Sequence, residues 1–171
     1  MPINTAPDIH NLVVCANIFI RKDDKYLLLK RSPHKKYAPN VIHPVGGKVD
    51  LNENPFQAAQ REVLEEAGVQ VKNMRLEAVL LEITPVKDEP YNWMIFHFSA
   101  DYDSGEITQT EEGELLWLPV EEIKQSELFP SVRYAIDQIL NPDDGTVFAT
   151  IKYDNEGKVA SSTSKLDLCI V

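Results

Sequence analysis

A chain of 171 residues, 43% hydrophobic and 26% charged, suits one globular domain with its own core and is not globally disordered. Its two cysteines, Cys15 and Cys169, are too few for a disulfide scaffold. A net charge of −10 argues against nonspecific binding to nucleic-acid polymers or anionic membranes, although bound divalent cations can reverse the sign of a single site.

Met1 to Asp8 has neither a basic flank nor an apolar core, so no secretory signal is read there and a cytoplasmic protein is expected. The apolar run Leu12 to Ile20 is nine residues long, against the roughly 20 of a bilayer-spanning helix, and is read as a strand. A polar turn, Arg21 to Lys25, leads to a second strand at Tyr26 to Lys30, so the pair should form a hairpin. Ser32 to Val45, with Pro33, Pro39 and Pro44, is expected to be a loop. A helix follows with clear boundaries: Asn54 as N-cap, Pro55 at the first position and Gly68 just past the end. Phe56, Ala59, Val63 and Ala67 give it one apolar face. Strands are expected at Arg75 to Ile83, Trp93 to Ala100 and Glu114 to Leu118. A short helix should begin at Pro119 and a longer one should span Ser131 to Leu140. After the break at Asn141 to Gly145, Thr146 to Tyr153 and Lys158 to Ser162 flank a turn and read as a terminal hairpin. Strands mixed with few helices point to an α/β or α+β layered domain.

The chemistry concentrates between Gly46 and Val69. On an α-helix, Glu62, Glu65 and Glu66 fall within one sector of roughly 100°. Like charges so spaced cost about 0.2–0.5 kcal/mol per pair, a penalty that a hard divalent cation shared with phosphate oxygens would offset. A solvated acidic face is the plainer alternative. Glu53 and Arg61 are placed to pair and hold the Gly-rich loop against the helix.

Gly47, Glu53 and the run Arg61-Glu62-Val63-Leu64-Glu65-Glu66-Ala67-Gly68-Val69 resemble the Nudix box, the signature of the Nudix (MutT-like) hydrolases. Seven fixed positions match, which chance achieves at roughly 10⁻⁸ per start site. The resemblance implies an α/β/α sandwich around a mixed β-sheet, with residues 1–140 as the hydrolase domain. Residues 141–171 would be a C-terminal β-hairpin extension that covers the sheet edge, closes the pocket or pairs with a second subunit in a homodimer. It also implies Mg²⁺- or Mn²⁺-dependent cleavage of a nucleoside diphosphate linked to another group. Glu62, Glu65 and Glu66 match the metal-ligand positions, with the Gly47 carbonyl as a further ligand. Glu53 matches the supporting carboxylate paired with Arg61. An acidic residue from a later loop usually joins them; Glu111 is the first choice here, with Glu112 and Glu114 as alternates. Water would attack phosphorus, with Glu66 or Glu111 taking its proton. Arg31 and Lys48, with Lys30, are candidates for phosphate contacts.

The substrate is expected to be a small nucleotide, either a nucleoside triphosphate or a nucleotide sugar such as ADP-ribose. Arg133 falls where the branch that removes oxidised guanine nucleotides carries a base-reading amide. Pro85, 16 residues beyond Val69, loosely fits the ADP-ribose-hydrolysing members. Trp93 and Phe129 are among the aromatics able to stack on a base, and His97 is expected to be a hydrogen-bonded core histidine. A non-catalytic nucleotide-binding or sensor module is the alternative, though such modules generally lose carboxylates that this chain keeps.

Overall fold

The computed structural model describes residues 11–35, 38–83, 85, 91–108, 112–141, 145–154 and 156–168. β1 (Leu12–Lys22) turns into β2 (Lys25–Arg31) through Asp23, whose φ of 55° is a left-handed conformation that Asp tolerates. β3 (Ile42–Lys48) begins inside the segment expected to be loop. The strand accommodates Pro44 because its ladder to β1 starts only at Val45, opposite Ile18, so the missing N–H breaks no bond on that side. β4 (Val69–Ile83) and β5 (Asn92–Gly105) are longer than expected and pair antiparallel, with register shifts that place Glu77 as an extra residue on β4. β6 (Gly113–Pro119), β7 (Gly145–Tyr153) and β8 (Val159–Leu168) complete an eight-stranded sheet in the order β6-β2-β3-β1-β5-β4-β7-β8. The β1–β5 and β4–β7 pairs are parallel and the other neighbours antiparallel, so the sheet is mixed as expected.

Helices cover both faces. On one, α1 (Pro55–Glu62) and the turn that continues it set Ala58, Ala59, Val63 and Ala67 against Ala16, Ile18, Ile20, Leu27 and Val45. On the other, α2 (Val120–Gln125) and α3 (Pro130–Leu140) pack Ile123, Val132, Ala135, Ile136 and Ile139 against Phe19, Leu28, Leu80 and Ile151. β1 therefore reads as a continuous apolar run, because a central strand is covered on both faces. The arrangement is the expected α/β/α sandwich. β7 joins the sheet in parallel beside β4, and β8 folds back on it as the expected hairpin. Among the described residues, no helix is long and apolar enough to cross a membrane.

The N-terminus of α1 is closed by a capping box. Asn54 accepts from the Phe56 and Gln57 amides at 3.0 Å, and the Gln57 side chain accepts from the Asn54 amide at 3.0 Å. The far end departs from the expected α-helix, since Val63–Ala67 winds as a single π-helical turn that stops at Gly68 with φ 69°. Such turns insert extra backbone and re-aim the side chains that follow. Glu65 and Glu66 lie within this turn, so they do not keep α-helical spacing from Glu62.

Candidate active site

Arg61 organises the loop–helix unit. Its Nε and Nη2 donate to Glu53 Oε2 and Oε1 at 3.1 and 2.7 Å, a forked pair, and Nη2 also donates to the Lys48 carbonyl at 3.0 Å. Nη1 donates to both Glu62 Oε1 and Glu65 Oε2 at 2.9 Å. Glu53 in turn accepts from the Asp50 amide at 2.9 Å. One guanidinium thus ties the end of β3, the loop and the helix into a single piece. The Arg61 hydrogen bonds, with the Asp50 amide, hold the Glu53 carboxyl below the usual carboxylate range.

Two glycines let the loop approach. Gly46 has φ 148° and lies so close to Ala16 and Asn17 of β1 that a Cβ would collide with backbone. A Cβ on Gly47 would occupy the place of the Glu62 carboxylate. The Gly46 amide donates to Glu66 Oε2 at 3.1 Å. Burial pushes the Glu66 carboxyl up to about 7 against that hydrogen bond, with Glu62 and Glu112 adding to the rise. Burial also lifts Glu62, although Arg61 pulls it down. Among the described residues no three acidic, histidine or cysteine side chains converge as a preformed metal cage. Arg61 holds Glu62 and Glu65 while Glu66 leans on the Gly46 amide, so the carboxylates are paired within the protein. The donors are nonetheless all oxygens grouped on one edge, the set that a hard divalent cation takes.

Beside this edge lies a pocket of about 220 Å³ between the sheet and α3. Gly46, Gly47 and Lys48 of β3 line it together with Arg31, His43, Glu82, Trp93, Phe129, Ser131 and Tyr153. His43 packs edge-on to Phe129 at 5.2 Å, and desolvation lowers its imidazole to about 4, so it is neutral at pH 7. Burial raises the Cys15 thiol to about 11, which removes it as a thiolate nucleophile. The Glu82 carboxylate accepts from Tyr153 Oη at 2.7 Å and from the Ser131 hydroxyl and amide, yet burial still lifts it above the usual range.

The structure brings together Gly47, Glu53, Arg61, Glu62, Glu65 and Glu66, and it sets Arg31 and Lys48 on the adjoining pocket. Arg133 does not join them, because its guanidinium donates to the Lys124 and Ser126 carbonyls at 2.9 and 2.6 Å and closes the end of α2. Glu111 lies outside the described residues. Its neighbour Glu112 pairs with Lys35 and is close enough to influence Glu66, and Glu114 lies on β6 opposite Lys30. His97 is buried as expected, but neither ring nitrogen finds a partner among the described residues, which corrects the expected hydrogen bonding. Sequence reading missed Glu82, Ser131 and Tyr153. The one available signal was a carboxylate inside the apolar run of a predicted strand, Leu80-Leu81-Glu82-Ile83.

A loop–helix unit of this kind on an α/β/α sandwich defines a class of phosphoanhydride hydrolases, and comparison with known proteins bears this out. The NUDIX domain family matches residues 11–139. The Nudix hydrolase YvcI of Bacillus subtilis is 30% identical over 149 residues, covering 85% of this chain and 89% of that protein. The NAD-capped RNA hydrolase NudC of Escherichia coli is 33% identical over 138 residues, 78% of this chain, which spans only 43% of NudC's length. The MutT protein of Bacillus halodurans shares the fold at a TM-score of 0.77 and 24% identity, with 90% of this chain and 97% of that one covered. The chain belongs to the Nudix family and is a Nudix hydrolase, an enzyme of the pyrophosphohydrolase type.

Proposed function

We propose that this enzyme uses Mg²⁺ or Mn²⁺ to cleave the diphosphate of a nucleoside diphosphate linked to a second group, by attack of water at phosphorus. The substrate is either a nucleoside triphosphate or a nucleotide sugar such as ADP-ribose. The observation that carries this reading is the Arg61 clamp on Glu53, Glu62, Glu65 and the Lys48 carbonyl, with Glu66 held by the Gly46 amide, beside the pocket that Gly46–Lys48 line. Glu62, Glu65, Glu66 and the Gly47 carbonyl are the residues that would hold the cation. When bound, it supplies neutralisation of phosphate charge and a lowered pKa for the attacking water.

Each further role falls to the chain itself. Glu66, which lies against the Gly46 amide, or Glu111 takes the proton of the attacking water. Arg31 and Lys48 balance phosphate charge at the pocket, and Arg61 with Glu53 positions the acidic edge. A net charge of −10 favours a small nucleotide over a nucleic-acid polymer, and the cytoplasm, where free nucleotides are found, is the proposed compartment.

The test is product release from nucleoside triphosphates, ADP-ribose, other nucleotide sugars and dinucleoside polyphosphates, each with Mg²⁺, with Mn²⁺ and with chelator. Cleavage of one class that stops with chelator is expected. Metal-independent cleavage would overturn the metal assignment, and folded protein inactive on every compound would overturn the substrate reading.

A further inference from the structure

The pocket takes its charged groups from two sides of the sheet. Arg31 on β2 and Lys48 on β3 line it from one side, Glu82 on β4 and Tyr153 on β7 from the other. β1 and β5 lie between β3 and β4, so three strand spacings, about 14 Å, separate the two sides across the sheet. The side with Lys48 adjoins the Arg61 clamp and is the place assigned above to the diphosphate. Glu82 is unsuited to a phosphate. Its carboxylate is buried and accepts from Tyr153 Oη at 2.7 Å and from the Ser131 hydroxyl and amide, all neutral donors. Two carboxylate oxygens offer about four acceptor sites, so about one is left for a donor on a ligand. Ser131 lies in the first turn of α3, whereas Tyr153 ends β7, beyond the residues 11–139 that match the family. The C-terminal hairpin therefore supplies one of the three bonds that fix Glu82.

We propose that the C-terminal hairpin is part of the substrate site: Tyr153 positions Glu82 to accept a hydrogen bond from an O–H or N–H donor on the nucleoside half of the substrate, whose diphosphate lies toward Lys48. This rests on the reading of the chain as a hydrolase of nucleoside diphosphate derivatives and gives such a substrate its direction in the pocket. The polarity is electrostatic. Two cations attract the phosphate end, and an acidic side chain set among neutral donors accepts from an uncharged group and repels an anion. Every nucleoside carries such donors, on its sugar and on most bases, so the contact orients the substrate without choosing among bases. Tyr153 and Ser131 are positioning residues that act through Glu82.

The test is equilibrium binding of AMP, GMP, ribose 5-phosphate and inorganic pyrophosphate, with Mg²⁺ present, to the full chain and to Tyr153→Phe, Glu82→Gln and Val147→Ala. The monophosphates have no anhydride bond to cleave, so affinity is read apart from turnover. Tyr153→Phe is expected to bind AMP and GMP about fivefold more weakly and Glu82→Gln about tenfold, the scale of one hydrogen bond to a carboxylate. Pyrophosphate should stay within about twofold in both. A ribose 5-phosphate affinity that falls in step places the donor on the sugar; one that holds while AMP and GMP fall places it on the base. Val147→Ala removes core packing from the same strand at a position paired with Ala78, away from Glu82. It should lower the melting temperature and leave all four affinities within about twofold, which separates positioning from the stability of the hairpin. Thermal melting confirms that each variant is folded, and Ser131→Ala gives the same reading if Tyr153→Phe is not. Unchanged AMP and GMP affinities in folded Tyr153→Phe, an equal loss for pyrophosphate, or no saturable binding of either nucleotide would each overturn the proposal. Hydrolysis of the substrate panel with these affinities unchanged would sink this inference and keep the hydrolase reading, whereas Tyr153-dependent nucleotide binding without hydrolysis would do the reverse.

Discussion

Glu53 and Glu82 each accept three hydrogen bonds, and their acidities move in opposite directions. Glu53 lies near solvent at the catalytic edge and takes two of its three from the Arg61 guanidinium, which holds it below the usual range. Glu82 is buried beneath α3 and takes its three from a phenol, a hydroxyl and an amide, all neutral, and burial wins. The contrast shows that the number of hydrogen bonds does not set a carboxylate's charge preference; a formal positive charge and access to water do. One region thus holds Glu53 ionised on a guanidinium, while the other buries Glu82 among neutral donors beneath α3.

The largest expected effect lies at the acidic edge. Glu66→Gln removes a carboxylate proposed to hold the cation or take the proton while preserving its contact with the Gly46 amide, and kcat is expected to fall about 10²–10⁴-fold with circular dichroism unchanged. Activity within threefold of wild type at saturating Mg²⁺ would sink that assignment. Arg61→Lys keeps the charge but loses the fork that spans Glu53, Glu62, Glu65 and the Lys48 carbonyl. A loss of about 10–100-fold in activity or metal affinity is expected, measured by steady-state kinetics and metal titration.

At Glu82 the readout is stability. Glu82→Ala strips Tyr153, Ser131 and the first turn of α3 of their common acceptor, and urea unfolding should show a loss of about 1–3 kcal/mol. A variant as stable as wild type would mean that water replaces the carboxylate freely.

The smallest effect concerns two imidazoles, the half-buried His43 and the buried His97. Burial lowers His43 to about 4 and His97 to about 3, so below pH 6.5 the unfolded chain binds protons that the folded chain refuses. Their contribution is fully present above about 6.5 and is lost as pH falls toward the folded values. Glu66 works the other way between about 4.5 and 7, where the folded chain holds the extra proton. A variant comparison separates them: His97→Leu should flatten the acid limb by up to one proton, about 1.4 kcal/mol per pH unit, between pH 6 and 4. An identical slope in both proteins would show that His97 titrates normally.

Sequence alone determined the clamp and the acidic edge. Glu53, Arg61, Glu62, Glu65 and Glu66 lie within one loop and one helix, where capping residues and helical periodicity fix which side chains can meet. Even there the π turn at Val63–Ala67 escaped, because hydrogen-bond register inside a helix leaves little trace in composition. β3 escaped as well: Pro44 reads as a loop signal until the neighbouring strand is known to pair only from Val45 onward. The pocket was decided by tertiary structure. Glu82, Trp93, Ser131 and Tyr153 come from four elements, and only the sheet order β1-β5-β4-β7 and the docking of α3 bring them to one place. Local periodicity specifies neighbours a few residues apart, whereas strand register and helix packing specify those separated by tens of residues, and a single sequence carries little record of the latter.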